Sequence, residues 1–378
     1  MPTRTVRLAM IGPFSGDAVP EGLSGRNCVR LAVAQRNAKG GAALRFEIAE
    51  FDDGCDPATG LGVVREAGGD GTILAAVAHY CSAVGLATVH EFHAHRLPAV
   101  LWGTIHPDIT HANDYPEIHR VNGTWMNQEE AGAAFFTRLG FRRWAFIHDD
   151  SSYGRTRAAL FPRYLAEAGG TVAGTFEVAV ERESLEEEMA RIAALDPDVV
   201  YVAAAPAGWF AANASAERRR QPQPLGAIVR GHMAAMGLRA QFQATGSVLE
   251  PEFLGALGSV AEGSIAVRGG APIETLPGGP ALIAAYHTAG FAEPLQPYGA
   301  FAYAAAELIM DAVERAGASR DAVCTFLNGV ADHPTVLGPV TFDTHGQNRN
   351  PPVSFHIVED ARWVLWDQSR RARNYAGA

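Results

Sequence analysis

Short apolar runs alternate along this chain with longer segments in which apolar residues recur at helical spacing. Val6–Ile11 predicts a buried strand, and the segment from about Leu23 to Asn37 predicts the helix that follows it. The same order continues with strands predicted at Leu44–Phe51, Thr72–Val77 and Pro98–Leu101, and helices at Pro57–Glu66 and Ala83–His95. Such alternation predicts a parallel sheet with helices on both faces.

A second series of the same kind follows. Its predicted strands are Trp144–His148, Thr171–Val178 and Asp198–Ala204, and its predicted helices are Tyr153–Ala168, Leu185–Leu195 and Pro206–Arg220. The pattern therefore predicts two consecutive doubly wound α/β units.

Beyond Gly246 the order is less regular. Tyr298–Ala316 predicts a long helix with an apolar stripe at i, i+3, i+4 spacing. The predicted strands here are Gly263–Val267, Val340–Phe342, Val353–Val358 and Trp363–Trp366. A long helix after the second unit indicates that the chain returns to the first lobe, so that several crossing strands form the connection.

Composition narrows the function. With 378 residues the chain is long enough for two domains, and 41 acidic against 31 basic residues give a net charge of −10. An acidic surface argues against nucleic acid as a partner. The chain also enters its first strand directly, without a charged and then apolar leader. We therefore expect either a cytoplasmic protein or the mature form of an exported one.

Motifs for catalysis are absent. The sequence has no P-loop, no GxSxG, no HExxH and no dinucleotide-binding GxGxxG after a strand. We expect neither an enzyme nor a cofactor. His90, Glu91, His93 and His95 crowd one helix. A metal site needs a further ligand and a closed shell, so we interpret them as a solvated helix end and expect no metal.

Polar residues follow three strands where helices begin, at residues 78–82, 102–104 and 149–154. Ligands of open parallel sheets bind at the carboxyl ends of strands, where free N–H groups of helix amino termini hold anions. Ser82 and Thr104 supply hydroxyl groups, Gly103 allows close approach to the backbone, and Tyr153 can reach from the second unit. The alternative is that these residues are ordinary helix caps.

Motifs spread over the chain in order resemble one family. They are Ser15-Gly16, residues 37–41 (NAKGG), residues 52–57 (DDGCDP), Tyr80-Cys81-Ser82, residues 107–110 (PDIT), Arg120, Asp149 with Tyr153-Gly154, residues 261–263 (AEG) and Gly338-Pro339. They resemble the leucine/isoleucine/valine-binding protein family of type I periplasmic solute-binding proteins of ABC transporters. Each motif alone is weak, but their order and spacing are specific.

The resemblance implies two doubly wound parallel-sheet lobes joined by a three-segment hinge. The expected lobes are residues 1–121 with 269–352, and residues 122–268 with 353–378. It also implies that the protein captures a small solute, an amino acid or a carboxylic acid, by hinge closure and delivers it to an ABC transporter permease.

Cys55 and Cys81 fall where members of that family have a disulfide, which implies the periplasm because this pairing needs an oxidising compartment. The alternative is two reduced, buried cysteines. A second alternative for the whole protein is a cytoplasmic small-molecule sensor of the amidase-regulator type, which has the same fold and no export signal.

The resemblance also implies a set of ligand-binding residues. Ser82, Gly103, Tyr153 and Tyr298 match family positions that touch ligand, while Ile105 stands where a threonine is expected and Thr104 is its possible substitute. Glu21 and Ala205 replace tyrosines. Gly246 replaces the glutamate that pairs with the ammonium of amino-acid ligands, and Glu21 or Glu250 are the candidates for a moved partner. Together with Tyr80, Trp102 and Trp125, these residues suggest a carboxylic acid without an amino group, and an aromatic one as an option.

Overall fold

The computed structural model describes residues 4–39, 44–179, 184–205 and 224–375. Contacts divide the chain into two compact units. The first comprises residues 1–124 and 270–352, and the second comprises residues 125–269 and 353–378. The chain therefore passes from one unit to the other three times, at 124–125, 269–270 and 352–353.

The first unit contains a five-stranded parallel sheet. Its strands are β1 (Arg4–Gly12), β2 (Leu44–Asp52), β3 (Ile73–Val77), β4 (Ala99–Leu101) and β5 (Ile118–Arg120), in the spatial order β2-β1-β3-β4-β5. The intervening helices are α1 (Val19–Ala38), α2 (Pro57–Gly69), α3 (Ser82–Ala94) and α4 (Asp108–His111). The predicted parallel α/β arrangement of this unit is confirmed.

The second unit contains a seven-stranded sheet. Its first five strands are β6 (Arg143–Asp149), β7 (Thr171–Val178), β8 (Val199–Ala203), β9 (Gln241–Thr245) and β10 (Ile265–Gly269). Its helices are α5 (Trp125–Arg138), α6 (Ser152–Glu167), α7 (Glu186–Ala194), α8 (Leu225–Ala235) and α9 (Pro251–Leu257). The helix predicted at Pro206–Arg220 lies outside the described residues.

The remaining chain returns to the first unit and then to the second. It forms α10 (Gly279–Ala289), α11 (Gly299–Ala316), α12 (Arg320–Asn328) and a hairpin of β11 (His333–Thr335) and β12 (Gly338–Val340) in the first unit. It then adds β13 (Val353–Glu359), β14 (Arg362–Leu365) and α13 (Arg370–Tyr375) to the second. The strand order there is β14-β13-β10-β9-β8-β6-β7, with β13 and β14 antiparallel to their neighbours. In the structure the chain returns to the first unit at residue 270 and leaves it again after residue 352.

Apolar cores cover both faces of each sheet. In β1, Val6, Leu8 and Met10 belong to a core shared with α1 and α11, whereas Ala9 and Ile11 belong to a core on the other face. A strand buried on both faces needs a continuous apolar run, which explains why this segment was readable from sequence. Within the described residues, no helix is both long and apolar enough to cross a membrane.

Two sequence predictions need correction. The strand predicted at Val340–Phe342 is wrong in position, because β12 ends at Val340 and Phe342 makes only an isolated antiparallel bridge to Asn348. The helix predicted from Leu23 begins earlier, at Val19, where a proline occupies its first turn. Proline favours that position because its missing N–H costs nothing there.

Candidate functional site

The carboxyl edge of the first sheet brings two of the predicted junctions together. The Ser82 Oγ accepts hydrogen bonds from the backbone N–H of Ile105 at 2.9 Å and of His106 at 3.3 Å. Ser82 opens α3, and Ile105 and His106 follow β4. Because β3 and β4 are parallel neighbours, their carboxyl ends lie at the same edge. The sequence predicted both junctions but not this link.

Ser82 does not cap its helix. The cap position of α3 is Cys81, which makes no side-chain hydrogen bond to the first turn. The capping alternative is therefore wrong for Ser82. Its oxygen accepts two bonds, and its own proton has no acceptor among the described residues, so the hydroxyl can donate to an anion. The amino end of α3 adds a positive dipole at the same place.

A disulfide fixes the segment that precedes Ser82. Cys55 and Cys81 are bonded, with their Cα atoms 5.5 Å apart. This confirms the pairing that the family resemblance implies and rejects two reduced cysteines. The bond ties the loop after β2 to the loop after β3.

A buried network of polar side chains connects the same two loops as the disulfide. Asp53, His79 and Thr88 have no exposed surface. The Asp53 Oδ2 lies 2.8 Å from the His79 Nδ1, and the His79 Nε2 lies 3.0 Å from the Thr88 Oγ1. Thr88 donates its own proton to a backbone carbonyl of α3, so it accepts from His79. These contacts link the loop after β2, the loop after β3 and helix α3 in one buried hydrogen-bonded network.

Aromatic side chains stand next to Ser82. The ring of Tyr80 lies 5.4 Å from that of Trp102 and 5.3 Å from that of Tyr298, measured between centroids. Tyr80 and Tyr298 are partly exposed, whereas Trp102 has no exposed surface. A Cβ on Gly103 would lie 2.6 Å from the Tyr80 ring, so only glycine allows this packing. The predicted aromatic residues of the first unit therefore form one cluster.

The other predicted residues of the first unit differ in exposure. Thr104 is fully buried, and its hydroxyl has no hydrogen-bond partner among the described residues. Ile105 is partly exposed. Glu21 lies partly exposed in the first turn of α1, without an ion pair or hydrogen bond to any described residue.

Asp149 organises the corresponding edge of the second sheet. Its Oδ1 accepts from the hydroxyl of Ser151, and its Oδ2 accepts from the backbone N–H of Ala205 at 2.8 Å. Asp149 ends β6 and Ala205 follows β8, so one carboxylate holds the loops after two neighbouring strands. Ser151 caps α6 by accepting from the N–H of Gly154 at 3.1 Å. The capping alternative is therefore right for this serine.

Tyr153 lies in the first turn of α6 among aromatic and cationic groups. Its ring lies 5.1 Å from that of Trp125, and the Arg157 guanidinium lies 4.4 Å from the Tyr153 ring centre. Tyr153 and Trp125 are both buried, and burial raises the pKa of the Tyr153 hydroxyl. The structure thus brings two predicted residues together and adds an arginine.

Sequence reasoning missed the cluster that supports Tyr153. Arg157 pairs with Glu129 and donates to the Gln128 Oε1 at 2.6 Å. The Tyr201 hydroxyl donates to the same Glu129 carboxylate at 2.9 Å. Arg157, Glu129 and Tyr201 are almost completely buried. The available signal was a glutamate on the apolar face of α5, a helix that the sequence analysis did not predict.

Gly246 adjoins a cation. It begins a short 3₁₀ helix after β9, and a Cβ placed on it would lie 3.2 Å from the Cβ and Cγ of Arg268. Arg268 is exposed near the carboxyl end of β10, and Glu250 is also exposed. The position that the family resemblance assigns to a glutamate therefore packs against the stem of an arginine.

No cluster of three or more His, Cys, Asp or Glu side chains in the described ranges is arranged to hold a metal ion. His93 instead bonds to Glu117 at 2.8 Å and stacks on Tyr115, while the His90 Nδ1 lies 2.8 Å from the Tyr115 hydroxyl. These contacts give the histidines of α3 structural partners.

Comparison with known proteins identifies what the chain is similar to. A family model described as periplasmic binding protein matches residues 5–228 and 229–360. A Leu/Ile/Val-binding protein homolog of Brucella abortus is 26% identical over 352 residues, which are 93% of this chain and 88% of that protein. Proteins of this family bind solutes and are not enzymes, as the missing catalytic motifs predict.

Two solved structures share the fold. An ABC transporter substrate-binding protein from Desulfitobacterium hafniense in complex with Leu has a TM-score of 0.74 at 18% identity, covering 96% of this chain and 100% of that one. A solute-binding protein of an ABC transporter from R. palustris in complex with benzoate has a TM-score of 0.65 at 16% identity, covering 96% and 95%.

Proposed function

Because this chain belongs to the periplasmic binding protein family, we propose that it is the solute-binding component of an ABC importer and that its ligand is a small carboxylic acid. The first unit holds the carboxylate at Ser82 and the amino end of α3. The second unit then closes on the ligand and adds Tyr153. Delivery to a membrane permease and a periplasmic location are part of this proposal.

The arrangement around Ser82 carries the proposal. A hydroxyl that already accepts two backbone hydrogen bonds presents only its proton to a ligand, which suits an anionic oxygen. A charge-assisted hydrogen bond of this kind is about twice as strong as a neutral one. The partly exposed rings of Tyr80 and Tyr298 stand beside it and provide an apolar surface for the body of the same ligand.

The ligand is proposed to lack an α-ammonium group. An ammonium removed from water without a carboxylate costs several kcal/mol. Gly246 supplies no carboxylate, and the neighbouring Arg268 supplies a charge of the wrong sign. Glu21 remains the alternative partner, since it has no hydrogen bond or ion pair to any described residue. The two relatives of known structure bind leucine and benzoate respectively, so both ligand types occur on this fold.

Calorimetric titration with four acids tests the proposal. The panel is leucine, 4-methylpentanoate (the leucine skeleton without its amino group), benzoate and 3,4-dihydroxybenzoate. We expect binding of at least one acid without an amino group, and tighter binding of 4-methylpentanoate than of leucine. Tight binding of leucine with none of the other three would contradict the proposed ligand class. Flat titrations with all four would reject carboxylate capture.

The site assignment has its own test. Ser82→Ala and Tyr153→Ala should each weaken binding of the best acid by about 1–2 kcal/mol for the lost hydrogen bond. Ser319→Ala is the matched control, because this serine caps α12 by accepting from the N–H of Ala322. Its loss should lower stability without changing affinity. Unchanged affinity in both site variants would place the ligand elsewhere.

The cytoplasmic sensor is not favoured. The curated relatives are Leu/Ile/Val-binding proteins, and the Cys55–Cys81 disulfide suits an oxidising compartment. A thiol titration of the native protein tests this, because two free thiols are expected, from Cys28 and Cys324. Four reactive thiols would support the sensor.

A further inference from the structure

The first unit contains a fully buried arginine for which no carboxylate partner is found among the described residues. Arg120 ends β5 and has no exposed surface. Its Nη1 donates to the carbonyl of His106 at 2.9 Å, and its Nη2 donates to the Thr110 hydroxyl at 3.2 Å. The Nε has no acceptor among the described residues. All the acceptors found are therefore neutral.

The surroundings of Arg120 do not balance its charge. Burial lowers its pKa to about 9, so the guanidinium stays protonated at neutral pH. Burial also lowers the pKa values of His106, His111 and His119, which keeps these neighbours neutral. A buried cation without a counter-charge costs several kcal/mol. Such a cost is retained in a fold only when something offsets it.

The position of Arg120 connects it to the ligand edge. His106 accepts from Arg120 through its carbonyl and donates to Ser82 through its N–H. One residue thus separates the guanidinium from the hydroxyl that we propose to bind the carboxylate. The backbone of Arg120 is held as well, by its N–H to Gly346 at 2.8 Å and its carbonyl to Asn348 at 3.0 Å. These bonds fix the backbone position from which the buried guanidinium side chain extends.

We propose that Arg120 is the fixed counter-charge for the ligand's carboxylate and thereby selects anions over neutral analogues. The proposal rests on the proposed function and adds the residue that supplies the charge. Ser82 and the α3 amino end contact the anion, and Arg120 acts through the His106 peptide as a positioning and charge-compensating residue. In this proposal the ligand carboxylate neutralises the charge of the buried Arg120 guanidinium, and the His106 peptide lies between the two groups.

The test compares each acid with its carboxamide. Benzoate with benzamide and 4-methylpentanoate with 4-methylpentanamide are the probes, titrated into the full chain by calorimetry. Wild type should prefer the acid. In Arg120→Gln, whose amide can still donate to the His106 carbonyl, acid affinity should fall on the order of tenfold or more because the buried positive charge is removed. Amide affinity should change little.

Two further variants separate charge from structure. Arg120→Lys keeps the charge and should retain the acid-to-amide ratio within about threefold of wild type, even where stability falls. Arg96→Gln removes an exposed charge of the same unit, which pairs with Asp321 at the surface, and should leave the ratio unchanged. If Arg120→Gln does not fold, the acid-to-amide affinity ratio of Arg120→Lys serves as the test of the role of Arg120.

An unchanged acid-to-amide ratio in Arg120→Gln, or its loss in Arg120→Lys, overturns the role of Arg120 while leaving carboxylate capture intact. Wild-type protein that binds none of the acids rejects the proposed function itself, and the role of Arg120 with it.

Discussion

Among the described residues, each unit has one buried arginine near its candidate ligand edge, and the two arginines differ in whether a carboxylate pairs with them. In the second unit Arg157 pairs with Glu129, contacts Gln128 and lies against the Tyr153 ring. In the first unit Arg120 has only a carbonyl and a hydroxyl as partners among the described residues. The two arginines are equally buried, but only Arg157 has a carboxylate that balances its charge.

The difference indicates two roles. The charge of Arg157 is already balanced by the Glu129 carboxylate, so it is not available to pair with a ligand anion. We infer that Arg157 instead holds the rings of Tyr153 and Trp125 in place. A cation without a carboxylate partner keeps a positive potential at its edge of the sheet. This comparison supports the proposal that the first unit holds the anionic group of the ligand.

Removal of each arginine should separate these roles most clearly. Arg157→Met leaves the Glu129 carboxylate buried and unpaired, so we expect a loss of about 3–5 kcal/mol in the free energy of unfolding. Arg120→Met leaves only neutral acceptors unpaired and removes an uncompensated charge, so its loss should stay below about 2 kcal/mol. Urea unfolding followed by circular dichroism measures both.

Two controls sharpen this comparison. Replacing both members of the pair, in Arg157→Met/Glu129→Leu, should recover most of the loss because no buried charge remains. Arg155→Met, on the same helix, breaks an exposed pair with Glu177 and should cost about 1 kcal/mol or less. Equal losses in Arg157→Met and Arg120→Met would contradict the distinction between the two units.

The second prediction concerns the covalent tie, which in the described residues belongs to the first unit alone. Cys55 and Cys81 are 26 positions apart, and closing a loop of that length contributes about 3 kcal/mol in the chain-entropy model. Cys55→Ser/Cys81→Ser should therefore lower unfolding stability by about that amount. Hydrogen exchange should quicken around α3 and remain unchanged around α6. Equal changes in both helices would show that the tie is not local.

The third prediction concerns Glu307, a partly buried carboxylate that has no ion pair with an arginine among the described residues. Burial, with Asp311 nearby, raises the pKa of Glu307 from 4.5 to about 6, although the N–H of Val336 bonds to it. Because the folded state then holds the proton more tightly, stability should fall as pH rises from about 4.5 to 6, by about 2 kcal/mol in total. Glu307→Gln should remove this dependence and be the more stable protein at pH 7.5. If the free energy of unfolding changed with pH in the same way in wild type and in Glu307→Gln, this role of Glu307 would be contradicted.

The sequence predicted the parts of the fold that local patterns encode. Strand β1 was readable because it is apolar on both faces, and α11 because its stripe repeats at helical spacing. Helix α5 was missed because its apolar face includes Gln128 and Glu129, whose burial depends on Arg157 of a different helix. Polar residues that satisfy one another across a fold look like surface residues in a single sequence.

Prediction of the candidate site from sequence has the same limit, because contacts between distant residues are not encoded in local patterns. The junctions at residues 78–82, 102–104 and 149–154 could be predicted because parallel sheets bind ligands at that edge. The bond from His106 to Ser82 could not, because it joins loops more than twenty residues apart and depends on how β3 and β4 are aligned. Arg120 was visible only as a motif residue, and its lack of a carboxylate became evident from its neighbours.

The threefold passage of the chain between units affects the order in which the protein can be made. The core of the first unit needs α1 and also α11, together with residues as late as Phe342. At about 5–20 residues per second, translation supplies α11 roughly ten seconds or more after α1. Until then one apolar face of the nascent sheet has no cover, and contacts so distant along the chain form slowly. The first unit of a newly synthesised chain therefore remains incompletely folded, and accessible to chaperones, until residues as late as Phe342 have left the ribosome.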